Sequence, residues 1–110
     1  MIFDKDGNIA IVYQEKISIP TFLDNLNKAY DKVKDDHLIL NLFSFEKLTA
    51  GDVLEFLDLS NKHKENGKSF VIVTNKVSYS EVPEEIMVTP TVQEAKDIIE
   101  MEEIERDLGL

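Results

Sequence analysis

The chain contains no cysteine and no long apolar run, and each absence removes a class of function. Without cysteine, disulfide bonds, thiolate catalysis and thiolate metal sites are excluded. The longest apolar runs are only a few residues, whereas a helix that spans a bilayer needs about 20. Residues 1–8 lack the basic and apolar regions of a signal peptide. We therefore expect a cytoplasmic protein.

Basic residues are also scarce, since 12 lysines and arginines stand against 22 aspartates and glutamates, and the net charge is −10. The basic residues are scattered and form no stripe. Phosphate backbones and anionic lipids repel such a chain, so binding to nucleic acid or to a membrane surface is not expected. A basic or apolar protein surface is the more compatible partner.

What is present is the composition of one folded domain. Hydrophobic residues make up 43% of the 110 residues and charged residues 31%, which is typical of a globular protein. This length is enough for one core between packed layers. We therefore interpret residues 1–110 as a single domain without internal repeats or linkers.

The first half of the chain predicts a hairpin, a helix and a buried strand. Asp6 and Gly7 lie between two β-prone runs, and an Asp-Gly pair there is typical of a tight turn. A helix is predicted to begin around 18–20 and to end at 34–36, because apolar residues repeat at helical spacing between them. The nearly all-apolar run 38–43 predicts a strand covered on both faces.

The second half predicts two more helices and two more strands. One helix is expected to begin at Thr49 and to end near 66–67, and residues 69–74 form another buried strand. The segment 75–88 is expected to be irregular, with one helical turn and a short edge strand. Thr91 and Glu94 form a capping-box pattern at the start of a last helix, which Gly109 ends.

The order of these elements and three short motifs resemble the STAS domain of sulfate transporters and anti-sigma-factor antagonists. Leu-Asn-Leu at 40–42 is similar to the family's apolar-acid-apolar strand, with Asn41 where Asp is usual. Thr-Ala-Gly at 49–51 lies near the family's Asp-Ser-Ser/Thr-Gly signature, and residues 90–95 are similar to the start of its last helix. The resemblance implies an α/β STAS-like domain with a four- to five-stranded mixed sheet and helices mostly on one face.

Phosphorylated STAS domains accept phosphate, on the serine that follows the signature Asp, from a kinase that also regulates a sigma factor. When the glycines are aligned, Thr49 takes the acceptor position and Leu48 replaces the Asp. An alignment without gaps instead places Ala50 at that position. The resemblance therefore implies Thr49 as a candidate phosphoacceptor in the first register only, with Ser44 in the same loop as the second candidate.

Thr49 has a structural interpretation as well as a functional one. A phosphate there would add about two negative charges to a helix N-terminus, where the helix dipole stabilises them. Alternatively, Thr49 only caps the helix by accepting a hydrogen bond from the Asp52 N–H. The sequence leaves both interpretations open.

We predict a non-enzymatic intracellular regulator or adaptor without a cofactor, because no base and nucleophile pair and no metal-ligand set is identifiable. A protein partner is expected to bind the strand-loop-helix segment 44–54 through free backbone N–H groups at the helix start. The predicted contact residues, with Phe45 and Leu48 exposed, are Phe45, Leu48, Thr49, Ala50, Gly51 and Asp52. The resemblance implies an anti-sigma-type Ser/Thr kinase, or the product of a neighbouring gene, as the partner.

The last helix carries apolar residues among many acidic ones. Met101, Glu102, Ile104 and Glu105 mark a predicted second contact surface for a basic partner or for a second copy of the chain. The alternative is a solvated helix face that adds solubility.

Two other functions stay open in the sequence. A small-molecule or nucleotide-binding module would use the helix start from Thr49 to Val53 as an anion site, with Lys47 as the nearby cation. A structural homodimer would bury the last helix between two copies.

The chain is also similar, at 41–44, 52–56 and 99–109, to a short acidic family of Bacteroidetes-type bacteria that is sometimes labelled ribonuclease Z. Ribonuclease Z chemistry needs a metal-binding His-x-His-x-Asp-His cluster. This chain has only His37 and His63, in different elements, and structural roles are predicted for both. Nuclease activity is therefore not expected.

Overall fold

In the computed structural model the chain forms a five-stranded mixed sheet with helices on both faces. The structure describes residues 1–13 and 17–109. Strand β1 is antiparallel to β2, and the neighbours from β2 to β5 are parallel, in the order β1-β2-β3-β4-β5. The elements are β1 (Ile2–Asp6), β2 (Ile9–Tyr13), α1 (Ile19–Lys28), β3 (His37–Asn41), α2 (Ala50–Leu54), α3 (Leu57–Glu65), β4 (Phe70–Val73), β5 (Met87–Thr89) and α4 (Val92–Asp107). The predicted α/β class with a mixed sheet is confirmed.

Helices α1, α2 and α3 cover one face of the sheet, and α4 covers the other. Successive side chains of a strand point to opposite faces, so Leu38 and Leu40 pack under α1–α3 while Ile39 packs under α4. Every residue of β4 is buried. The central strands are therefore covered on both faces, as their unbroken apolar runs predict.

The N-terminal hairpin turns where the sequence predicts it. Asp6 pairs with Ile9 across the turn, and Gly7 between them has a φ of 60°. A residue with a side chain would be strained at that φ, which is why this tight turn favours glycine.

Helix α1 is shorter than the sequence predicts. It ends at Lys28, and a 3₁₀ turn at Tyr30–Lys32 follows. The N–H of Ala29 donates to the carbonyls of both Asn25 and Leu26, at 3.0 and 3.2 Å, which marks the change to the tighter helix. Tyr30 stays buried because the 3₁₀ turn still places it against the core.

The single helix predicted from Thr49 to 66–67 is divided into α2 and α3. The N–H groups of Glu55 and Phe56 donate to carbonyls three residues earlier, at 3.3 and 3.1 Å, and not four. This 3₁₀ geometry aligns side chains that are three positions apart. Val53 and Phe56 are both fully buried as a result.

The start of α4 has only half of the predicted capping box. The hydroxyl of Thr91 accepts from the Glu94 N–H at 3.1 Å, as predicted. The Glu94 carboxylate, however, accepts from the Thr91 hydroxyl at 3.3 Å and not from its N–H. The segment before this helix contains the expected short edge strand β5. The helical turn, predicted after Pro83, lies earlier, at Tyr79–Glu81, while residues 83–86 form only a turn closed by the Ile86 N–H and the Pro83 carbonyl at 3.1 Å.

Candidate functional site

Residues 44–54, which we call the corner, connect the end of β3 to α2 and include that helix. Asn41 shapes the exit from the strand, because its side-chain oxygen accepts from the Phe43 N–H at 3.1 Å. This is the local turn that Asn and Asp side chains both favour. Asn41 therefore performs the backbone role that an aspartate would perform at this position.

The prediction that Phe45 and Leu48 are exposed is wrong for Leu48. Leu48 is only 6% exposed and belongs to the core under α1–α3. Phe45 is half-buried, and its ring packs edge-to-face against Phe22 with centroids 6.0 Å apart. Both side chains thus hold the loop onto the core, since tertiary contacts with α1 cover apolar residues that stand among charged neighbours in the sequence.

Thr49 and Asp52 form a complete capping box at the start of α2. The Thr49 hydroxyl accepts from the Asp52 N–H at 3.2 Å, and the Asp52 carboxylate accepts from the Thr49 N–H at 3.0 Å. The predicted cap is therefore confirmed. Thr49 is also exposed to solvent, as is Ser44.

The start of α2 offers little for an anion. The helix has only five residues, so few peptide dipoles add up at its end. The capping box already occupies the N–H groups of Thr49 and Asp52. At Gly51 an added Cβ would lie 3.6 Å from the Thr49 hydroxyl oxygen, an ordinary contact, so no ligand-sized gap depends on this glycine.

The apolar surface of the corner comes from residues that the sequence places in the core. Phe43, directly before the corner, is 52% exposed, and Leu54 at its end is also exposed. The sequence assigns Phe43 to a buried strand and Leu54 to the apolar positions of a helix. Strand β3 ends at Asn41 and α2 ends at Leu54, and this early ending leaves both side chains in water.

His63 lies in the core with both ring nitrogens bonded. Nε2 donates to the Asp36 carbonyl at 2.7 Å, and the Tyr30 hydroxyl lies 2.6 Å from Nδ1. Nδ1 therefore accepts a hydrogen bond from the Tyr30 hydroxyl. Burial lowers the pKa of His63 to about 4, so the ring is neutral at pH 7. This geometry fits the predicted structural role.

His37 belongs to a polar cluster that joins α4 to the starts of β3 and β4. The Ser69 N–H donates to Nδ1 at 2.9 Å, so Nε2 carries the proton and faces the Glu103 carboxylate at 3.1 Å. Burial lowers the pKa of His37, and the Glu103 charge opposes that shift. Arg106 donates to the Ser69 hydroxyl at 3.0 Å. Sequence reasoning missed this cluster, because no local pattern links residues so far apart.

The outer face of α4 carries exposed apolar residues among acidic ones. Met101, Ile104 and Leu108 are 62%, 54% and 68% exposed, and their spacing places them on one side of the helix. The predicted second contact surface is therefore exposed at Met101, Ile104 and Glu105. Glu102 is half-buried, with its carboxylate 4.0 Å from the Arg106 guanidinium.

A groove of about 630 Å³ lies between edge strand β5, the loop before it and the first turns of α4. The described residues that line it include no lysine or arginine. Its apolar lining is Tyr79, Pro83, Ile86, Met87, Val88, Pro90 and Ile98, and its acidic lining is Glu84, Glu94 and Asp97.

The chain matches no protein-family model and no curated protein. The resemblance to STAS domains therefore stays a prediction. Within residues 1–13 and 17–109, no three His, Cys, Asp or Glu side chains are placed to hold a metal ion. In the same ranges no helix has the length and apolar character needed to cross a membrane.

Proposed function

We propose that this protein is a non-enzymatic cytoplasmic regulator or adaptor that binds a protein partner at the corner. The observation that supports this most is the solvent exposure of Phe43, directly before the corner, and of Leu54 at its end, with Thr49 exposed between them. Exposed large apolar side chains near a reachable hydroxyl are suitable anchors for a partner. The resemblance to STAS domains suggests an anti-sigma-type Ser/Thr kinase or a neighbouring gene product.

We further propose that phosphorylation of Thr49 controls partner binding at the corner, and we call this control the gate. The hydroxyl is bonded to the Asp52 N–H, and the Asp52 carboxylate is bonded back to Thr49. A phosphate on this oxygen would place about two further negative charges beside that carboxylate and weaken the capping box. Helix α2 is only five residues long, so loss of its cap would shift Leu54 at its end.

The binding proposal is tested with the tagged protein in its native host. Partners are purified and quantified by mass spectrometry for the wild type, for the double variant Phe43→Ala and Leu54→Ala, and for Ile2→Ala. Ile2 is a matched control, because it is 52% exposed, like Phe43, but lies on edge strand β1. We expect the double variant to lose most of a partner that Ile2→Ala retains. Retention by the double variant would overturn the proposal.

The gate is tested with substitutions that separate capping from phosphorylation. Asparagine caps a helix at least as well as threonine but cannot accept phosphate, so Thr49→Asn should change the free energy of unfolding by less than about 0.5 kcal/mol. Thr49→Ala should lower that free energy by about 1 kcal/mol. Phosphate on Thr49 in the purified protein, with altered partner binding in Thr49→Asn, would support the gate. Unaltered binding in Thr49→Asn would contradict it.

The alternatives from the sequence receive less support. An anion or nucleotide site at the start of α2 would depend on a helix of five residues whose first donors are partly used by its own cap. A homodimer through α4 would bring two strongly acidic helices together, and like charges oppose that contact.

A further inference from the structure

Helix α4 has two apolar faces, and only one of them is covered. Ala95 and Ile99 are fully buried against the sheet. Met101, Ile104 and Leu108 lie on the opposite side and are more than half exposed. A single covered face is enough to hold a helix on a sheet, so the second apolar face has no evident role in the fold.

The exposed face continues into the groove beside β5. Ile98 lines the groove and lies three positions before Met101, which places the two side chains on neighbouring parts of the helix surface. Tyr79 and Met87 form further parts of the groove, and Tyr79 is largely exposed. From Ile98 to Leu108 the helix rises about 15 Å, so the groove and the apolar face together offer a strip about three turns long.

The charge around this strip determines which partner fits it. The exposed acidic residues of α4 are Glu94, Asp97, Glu100, Glu105 and Asp107. The two basic residues of the helix point to other parts of the molecule, since Lys96 lies 2.8 Å from Asp6 and Arg106 donates to Ser69. In the described part of the chain, neither forms a salt bridge with these exposed acids. A second copy would bring the same acids together, and an anionic membrane would be repelled as well.

We propose that the outer face of α4 and the adjoining groove form a docking surface for a basic amphipathic helix of another protein. Apolar residues of that helix pack on Met101, Ile104 and Leu108, and one large side chain enters the groove at Ile98. Lysines and arginines flanking its apolar stripe pair with the acids of α4. This surface is separate from the corner, because α4 and α2 cover opposite faces of the sheet.

The test uses a synthetic Lys/Leu peptide of roughly 12 residues with leucines at helical spacing, which spans three turns. A Glu/Leu peptide of the same pattern is the charge control. Affinity is measured by fluorescence anisotropy, and the contact surface is mapped by NMR chemical shifts on the full chain. The variants are Met101→Gln with Ile104→Gln, and Ile2→Gln as a matched exposed control. Glutamine is a good helix former, so the α4 variant should fold.

We expect the Lys/Leu peptide to bind and to shift resonances of 98–108 and of the groove, with weaker binding at high salt. The double variant should weaken this affinity about tenfold or more, because two apolar contacts are lost. Ile2→Gln should leave the affinity within about twofold, since a change outside the contact surface removes little binding energy.

Three results would overturn the proposal. The first is equal binding of the Glu/Leu peptide, and the second is an affinity that the double variant leaves unchanged. The third is a dimer in sedimentation that the double variant dissociates, since a second copy would then occupy the surface. Because the corner is intact in these variants, none of these results bears on partner binding at the corner.

Discussion

The two faces of the sheet are covered in different ways. Under α1–α3, aromatic rings interlock, and Phe22 packs edge-to-face against both Phe45 and Phe56 with centroids 6.0 Å apart. Under α4, the buried apolar side chains of the described chain are all aliphatic. They are Ile11, Ile39, Val71, Val73, Ala95 and Ile99. Polar contacts at its edges help to fasten α4, notably Glu103 with His37 and Lys96 with Asp6.

This difference determines which substitutions can test each surface. The corner lies directly on the aromatic core, so a change at Leu48 or Phe45 alters stability and binding together. Among the apolar side chains of the corner and the residue directly before it, only Phe43 and Leu54 are exposed and have no place in that core. The outer face of α4 is independent of the core beneath the helix, so Met101 and Ile104 can be replaced with little effect on folding.

The largest expected effect is at the aromatic core. Phe22→Ala removes the ring that touches both Phe45 and Phe56, and we expect a loss of roughly 3–5 kcal/mol in the free energy of unfolding. Ile99→Val, a smaller deletion under α4, should lose only about 1 kcal/mol. Urea unfolding of both variants measures the difference. Similar losses in the two variants would remove the contrast between the two faces.

Low pH should lower the free energy of unfolding through His63, which lies on the α1–α3 side of the sheet. The folded pKa of about 4 lies below the unfolded value of about 6.5, so the unfolded chain binds more protons between these values. Stability is therefore complete above pH 6.5 and falls as the pH drops toward 4. One pKa unit corresponds to about 1.4 kcal/mol, so we expect a loss of roughly 2–3 kcal/mol on going to pH 4.

The measurement is the free energy of unfolding from pH 7.5 to 4, compared with the variant His63→Gln. Glutamine keeps a donor for the Asp36 carbonyl but does not titrate, so the variant should have a shallower pH dependence. Parallel curves for the two proteins would show that His63 is not the cause.

The smallest expected effect is at the polar attachment of α4. Glu103→Ala leaves the buried Nε2–H of His37 without its carboxylate, and we expect a loss of about 1–2 kcal/mol. Glu100→Ala is the matched control, because Glu100 is exposed on the same helix and should change stability by less than about 0.5 kcal/mol. Hydrogen exchange should become faster in α4 and stay slow in β4. Equal exchange in the two variants would show that the cluster does not fasten the helix.

Local patterns predict most element positions because the forces behind them act within a few residues. Gly7 accepts the positive φ of the hairpin turn, and Thr49 meets its capping partner three positions away. The apolar run of β4 is buried on both faces as expected. For the turn and the cap, neighbours in sequence supply most of the interaction, so the local pattern carries the information. The position of β4 is predictable for another reason, since an unbroken apolar run is stable only where both faces of the strand are covered.

The candidate site was harder to predict, because exposure depends on distant contacts. Leu48 and Phe43 are both apolar residues near the end of β3, yet one is buried and the other lies in water. The pairing of His37 with Glu103 joins a strand to the last helix. No local spacing distinguishes these residues from similar ones elsewhere in the chain.

By itself, the sequence determined the α/β class, the hairpin, the helix caps and the acidic character of α4. These properties follow from backbone preferences, hydrophobic periodicity and charge, which act locally or sum over the whole chain. Tertiary structure alone decided that the helix after Thr49 divides, that Leu48 is buried and that Phe43 faces solvent. The physical reason is packing, since a side chain is covered only when an element from another part of the chain fills the space around it.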